Sequence, residues 1–194
     1  MKKKEAILKV ATVLFANKGF ADTSVHELSE LTGAAEGTIF YHYKSKEGLL
    51  LTILDKTRES IVGQFDEYLE KRSFDSGMEM VEEMISFYLY MAGLMEDQFL
   101  LLHRHFLYKY SETNPEFRAN LEAIYNCITQ FFEQAIAAGQ KDGSITPDVE
   151  PRKSALVLFT MVDGLVRFKN YNLYDAGALL RELMQACRRM LQAH

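Results

Sequence analysis

Arginine is missing from the first 50 residues of this 194-residue chain, although the chain carries 22 Lys and Arg in all. That absence removes from the N-terminal segment the bidentate contact of arginine to guanine, the commonest specific base contact. Cysteine is scarce. Cys127 and Cys187 lack metal-type spacing and fall on separate expected helices, so they read as small core residues of a reduced, cytoplasmic protein. No apolar run reaches the roughly 18 residues that would mark a membrane span. The start, MKKKEAILKV, is basic but continues as an amphipathic helix with no small-residue cleavage site, which argues against a signal peptide. Repeats, low-complexity segments and credible strand pairs are lacking. So are a Ser-His-Asp arrangement and a phosphate-binding glycine loop; nothing supports an enzyme, and no cofactor is implied. His103-Arg104-His105 places two histidines on different sides of a helix, which does not suit chelation of one metal ion.

What is present is apolar residue at helical spacing. A hydrophobic content of 48% is ample for the core of one or two domains. The net charge of −5 argues at first against a DNA partner, but its distribution matters more than its total. Residues 1–50 hold seven Lys against six acidic residues, whereas residues 51–194 hold fifteen basic and twenty-one acidic ones. Phosphate neutralisation needs only a local basic footprint, and Lys2, Lys3, Lys4, Lys44 and Lys46 supply one.

The most informative stretch is TSVHELSELTGAAEGTIFYHYKSKEGLL, residues 23–50. A first helix from Lys3 to about Asn17 buries Ile7, Ala11, Leu14 and Phe15. Ser24 then caps a short helix, with Glu27 placed to close a capping box. Val25, Leu28 and Leu31 recur at helical spacing and are expected to form its buried face. Thr32-Gly33 ends it, since glycine tolerates the left-handed conformation of a helix exit. A second short helix follows over about Ala35 to His42, with Ile39 as core anchor and Glu36, Thr38 and Tyr41 off that face. Ser45 caps a long helix running from Lys46 to about Lys71. Helix, tight turn, helix is the geometry that lays the second helix in the DNA major groove.

From Ile7 to Leu50 the chain resembles, without a gap, the N-terminal DNA-binding domain of the TetR family of bacterial transcriptional regulators. The resemblance is carried by Leu14 to Phe20 (LFANKGF), the Thr-Ser-Val helix start, the Gly33 turn, Gly37-Thr38-Ile39 and Lys44-Ser45-Lys46-Glu47. Three positions depart from the family pattern: Ala35 replaces a capping Ser, Glu36 stands where a basic or neutral residue is usual, and Phe40 replaces a Tyr. The resemblance implies an all-α protein of about nine helices. Residues 1–47 would form a three-helix helix-turn-helix domain, and residues 48–194 a helical ligand-binding and dimerisation domain. It also implies contact of Thr23, Ser24, Glu36, Gly37, Thr38, Tyr41, His42 and Lys46 with double-stranded DNA, with Lys46 on phosphate. The function it implies is that of a homodimeric repressor released from a palindromic operator by a small apolar or amphipathic molecule. The alternative is a small-molecule-binding or protein-interaction module that has lost operator binding, consistent with Ala35, Glu36 and Phe40.

In the body, helices are expected from Ser76 to about Leu94, Glu96 to Tyr110, Pro115 to Ala138-Gly139, Pro151 to Phe168 and Asp175 to Gln192, with KDGSITPDVEP as the one clear loop. The helix after Pro151 is apolar nearly all round and must be buried on more than one side. In the family the last two helices form a four-helix bundle with a two-fold mate, which assigns Leu158, Val162, Leu165, Leu179, Leu183 and Met190 to a dimer interface. Eight of nine Met and ten of thirteen Phe lie after residue 64. Soft and aromatic side chains serve a core or an adaptable apolar pocket. With the resemblance added, Met84, Phe87, Tyr88, Met91, Phe99, Phe106, Leu121, Ile128 and Phe159 become expected pocket walls, with His103, Tyr125 and Asp163 to orient a ligand.

Overall fold

The computed structural model describes residues 3–192. Among these residues the chain is all-helical: α1 Lys3–Asn17, α2 Val25–Thr32, α3 Glu36–Tyr43, α4 Lys46–Glu70, α5 Gly77–Leu94, α6 Glu96–Leu102, α7 His105–Thr113, α8 Pro115–Asp142, α9 Pro151–Asn170 and α10 Leu180–Leu191, with a 3-10 turn at Gly177–Leu179. No helix of the described residues is long and apolar enough to cross a membrane. The chain divides into two compact units.

The first unit holds the described residues up to Ser60 together with Met95–Ile124. Its core takes Ile7, Ala11 and Phe15 from α1, Leu28 from α2, Ile39 from α3 and Leu49 and Leu50 from α4, all essentially buried. Phe20 sits at the centre of an aromatic cluster, 5.1 Å from Phe15, 5.6 Å from Phe106 and 5.5 Å from Tyr110 between ring centroids. The single helix expected over Glu96–Tyr110 is two helices, α6 and α7, because Arg104 is extended (φ −72, ψ 127). The break turns Arg104 onto the end of α1, where Nε donates to the Ala16 carbonyl at 2.5 Å and Nη2 to the Asn17 carbonyl at 3.1 Å. Those carbonyls lack partners within α1 and carry the negative end of its dipole, so a guanidinium both caps and neutralises them. This break makes ten α-helices among the described residues, where the sequence implies about nine.

The second unit holds Ile61–Leu94 and the described residues from Tyr125 onward. Within it α5 crosses α8 at two glycines. A Cβ on Gly77 would lie 2.0 Å from the Gly139 nitrogen, and one on Gly139 would lie 2.5 Å from the Ile145 side chain. Gly139 was expected to end α8; it lies inside the helix as the crossing point, and α8 runs on to Asp142. The Asp142 carboxylate then accepts from the Gly77 and Ser144 amides at 2.7 and 2.8 Å; the Ser144 hydroxyl first, and then these amides, hold its pKa below the usual value. α10 begins at Leu180, later than the expected Asp175, because Asp175 spends its carboxylate on the Gly177 and Ala178 amides of the preceding turn. Leu183, Cys187 and Leu191 form the buried stripe of α10, and burial pushes the Cys187 thiol up to about 11. Arg188 ties that helix to α5 through paired bonds to Glu82, 2.7 Å each.

Candidate nucleic-acid interface

The helix-turn-helix is built as its caps require. Ser24 Oγ accepts from the Glu27 amide at 3.0 Å, and Gly33 leaves α2 in the left-handed region at φ 64. The Glu27 carboxylate is engaged mainly by Lys18, 2.7 Å away, and only least by the Ser24 amide; the pairing lowers its pKa. One part of the expected α2 face is overturned: Leu31 is 60% exposed. A repeat of three falls short of the helical period, so Leu31 rotates away from Leu28. Thr32 takes the inward place and donates its hydroxyl to the Leu28 carbonyl at 2.5 Å.

Two residues fasten α3 from below. Ile39 is buried as expected, and so is Tyr43, whose hydroxyl donates to the Lys4 carbonyl at 3.0 Å. Burial pushes the Tyr43 phenol up to about 12. The opposite side is left outward: Glu36, Gly37, Tyr41 and His42 are exposed, Tyr41 by 74%, and Thr38 is half-buried. Phe40 is also outward, 44% exposed. Ala35 gives no side-chain cap, so the first amides of α3 lack the hydroxyl acceptor a serine would bring. Gly37 has open space where its Cβ would be, with no heavy atom within 4 Å. Nothing inside the protein requires glycine there.

Two of the residues assigned to DNA turn inward. Thr23 is 1% exposed and donates its hydroxyl to the Gly19 carbonyl at 2.8 Å, so its side chain braces the α1–α2 connection instead of facing out. Lys46 donates to the carbonyls of Phe20 (2.7 Å) and Thr23 (2.9 Å) and rests 4.4 Å from the Phe20 ring centroid. Its ammonium therefore has one donor to spare for a phosphate. Lys3, Lys4 and Lys44 are exposed, with Lys44 at φ 67 directly after α3; Lys2 lies outside the described residues. Glu36 bonds through Oε1 to His26 Nδ1 of α2 at 2.9 Å. The sequence alone gives no role to His26, Tyr43 or Arg104, because each bonds to a partner outside its own helix and carries no motif.

The residues expected to line a ligand pocket divide between the units. Phe99, His103, Phe106 and Leu121 belong to the unit that contains the helix-turn-helix, where Phe106 stacks on Phe20. Met84, Phe87, Tyr88, Met91, Tyr125, Ile128, Phe159 and Asp163 belong to the other. There Tyr88 donates to Asp163 Oδ1 at 2.8 Å, and the Phe159 ring lies 6.0 Å from Tyr88 and 5.6 Å from Tyr125. The residues expected at a dimer interface differ in exposure. Leu158, Val162, Leu165 and Leu183 are each less than 10% exposed within the single chain, so they fill its own core. The outward apolar residues of α9 are Leu156 (43%) and Val157 (47%), and Leu179 (39%) lies just before α10, whereas Met190 is half-buried.

Residues 7–53 match the model of the bacterial regulatory proteins of the tetR family. Among curated proteins, the HTH-type transcriptional regulator UidR of Escherichia coli (strain K12) is 24% identical over 160 residues, 82% of this chain and 78% of UidR. Among solved structures, the transcriptional regulator FadR from Bacillus subtilis in complex with stearoyl-CoA superposes with a TM-score of 0.77 at 19% identity, covering 94% of this chain and 96% of FadR. A putative transcriptional regulator from Saccharomonospora viridis in complex with choline gives 0.78 at 23% identity over 96% and 94% of the two chains. At such identities the structural likeness speaks to the fold.

Proposed function

We propose that the chain, whose residues 7–53 match the model of the tetR family, is a regulator of that family and a homodimeric repressor released from a palindromic operator by a small apolar or amphipathic molecule. The observation that carries the DNA-binding part is the polarity of α3: Ile39 and Tyr43 hold it down while Gly37, Tyr41 and His42 stand outward. In this reading residues 1–47 bind DNA, and Ser24, Glu36, Gly37, Thr38, Tyr41, His42 and the remaining donor of Lys46 meet the duplex. Residues 48–194 bind ligand and partner. Two recognition helices related by a two-fold axis would stand about one DNA turn apart, roughly 34–36 Å.

The exposure of Leu156, Val157 and Leu179 supports a dimer face on the outer side of α9 and the start of α10. Ligand binding is supported by the cluster of Tyr88, Tyr125, Phe159 and Asp163, and by the stearoyl-CoA and choline found with two structural neighbours. A ligand releases DNA by favouring a conformation whose recognition helices are misplaced for the groove. α4 is the proposed lever, since its residues up to Ser60 belong to one unit and those from Ile61 to the other. Coupling of this kind is worth about 1–3 kcal/mol, roughly 5- to 150-fold in affinity, and acts equally in both directions. A thermal-shift screen of hydrophobic and amphipathic compounds, followed by operator titration with each hit, tests it. Hits that stabilise the protein and weaken operator binding support the mechanism; hits that all leave operator affinity unchanged overturn it. The second reading, a module without operator binding, draws on uncapped Ala35 and acidic Glu36. Nuclease protection of any short palindrome excludes it.

A further inference from the structure

Base recognition in this chain has an unusual constraint. A bidentate arginine is excluded from residues 1–50, and the first residue of the recognition helix is an acid, Glu36. The N-terminal residues of a recognition helix are those that reach base edges. Glu36 is also not left loose: its Oε1 is 2.9 Å from Nδ1 of His26, a residue of α2. The other ring nitrogen of His26, Nε2, lies 3.6 Å from Glu30 on the same helix. Glu27, also on α2, pairs with Lys18 instead. One carboxylate oxygen of Glu36 is thus taken by a neighbouring helix, while the side chain as a whole remains 46% exposed.

A carboxylate only accepts hydrogen bonds, so on the floor of the major groove it can pair only with an exocyclic amino group, N4 of cytosine or N6 of adenine. In adenine the amino group adjoins the N7 acceptor, which repels a carboxylate; in cytosine it adjoins a C–H edge. We propose that Glu36 reads cytosine at one position of each operator half-site, and that His26 is the positioning residue that holds its carboxylate for that contact. The inference rests on the DNA-binding reading above and adds the base and the residue pair. It also predicts a pH effect. Hydrogen bonding to Glu36, then the charges of Glu30 and Glu36, raise the His26 pKa. The protonated ring, which offsets two carboxylates beside the phosphates, persists to higher pH than in an ordinary histidine. Operator binding should weaken as pH rises through that value.

The test is selection of bound sequences from a random DNA pool by wild type, Glu36→Gln and His26→Ala, with operator affinity measured between pH 5.5 and 8.5. Both side chains, His26 and Glu36, lie at the surface, and equal melting temperatures will verify that the fold is kept. Wild type should select one invariant cytosine per half-site. Glu36→Gln should replace it with adenine, since an amide pairs with N6 and N7 together, and leave the other positions unmoved. His26→Ala should keep cytosine but weaken the preference by about 3- to 10-fold, toward the low end for one base contact, and lose one titration step from the affinity profile. An unchanged preference in Glu36→Gln overturns the reading of cytosine. An unchanged preference and pH profile in His26→Ala overturns the positioning role. Enrichment of no sequence by wild type would instead refute operator binding itself, and this inference with it.

Discussion

Gly37→Ala separates the demands of the protein from those of its DNA. Gly37 is the second residue of α3, and a Cβ there meets no heavy atom within 4 Å. Inside a helix alanine is favoured over glycine by about 0.8–1.0 kcal/mol. So near the N-terminus a gain of roughly half, ~0.5 kcal/mol, is expected. For a chain of this length that raises the melting temperature by about 1–2 °C. The operator complex should respond in the opposite sense. If the backbone of α3 approaches the duplex at Gly37, an added methyl acts as overpacking, typically ~1–3 kcal/mol or about 5- to 150-fold in affinity. Thermal melting and fluorescence-anisotropy titration of one preparation read both quantities. A variant that is more stable and binds operator more weakly fits the reasoning. Unchanged operator affinity would mean that this side of α3 does not meet DNA, and a lowered melting temperature would mean that the open space is not open.

Lys46→Ala should destabilise the fold as well as weaken DNA binding. It removes donors to the Phe20 and Thr23 carbonyls, costing about 1–3 kcal/mol, and should lower the salt slope of binding by about one unit; an unchanged melt and slope would contradict both roles. Val157→Glu should give a folded monomer by sedimentation, whereas Leu158→Glu, at a fully buried site, should unfold the chain; a dimeric Val157→Glu would refute the proposed face. Gly77→Ala should cost about 1–3 kcal/mol by denaturant melting, because its Cβ would strike the backbone of Gly139. Tyr43 sets an alkaline limit. A phenol with its pKa raised on folding contributes stability below its ordinary pKa of 10 and loses it as pH climbs to about 12, so the melting temperature should show a component falling in that window that Tyr43→Phe lacks.

The N-terminal helices were legible because their signals are local. Ser24, Gly33 and the Ile39 anchor each act within a turn or two of chain, and the family resemblance covers that segment. The break between α6 and α7 was not legible, since neither glycine nor proline marks it. Its cause is the bond of Arg104 to the end of α1, 87 residues away in sequence for Asn17. Gly139 misled for a related reason: glycine signals a helix end or a close crossing equally, and only the position of Gly77 decides. The apolar girdle of α9 announces burial on several sides but not which side meets its own core: Leu158 and Val162 are buried within the chain, while Leu156 and Val157 carry the exposure. Lys46 and Thr23 looked like DNA contacts because polar residues beside a recognition helix usually serve DNA; here much of their bonding capacity braces the turn.

The most direct test of the central claim is a hydroxyl-radical footprint of the wild-type chain on the sequence it enriches from random DNA, with stoichiometry from sedimentation of the same complex. The account predicts two protected half-sites of a near-palindrome, centred about one helical turn apart, and two chains per duplex. A monomer protecting one asymmetric site at full affinity, or no protection of any enriched sequence, would contradict it.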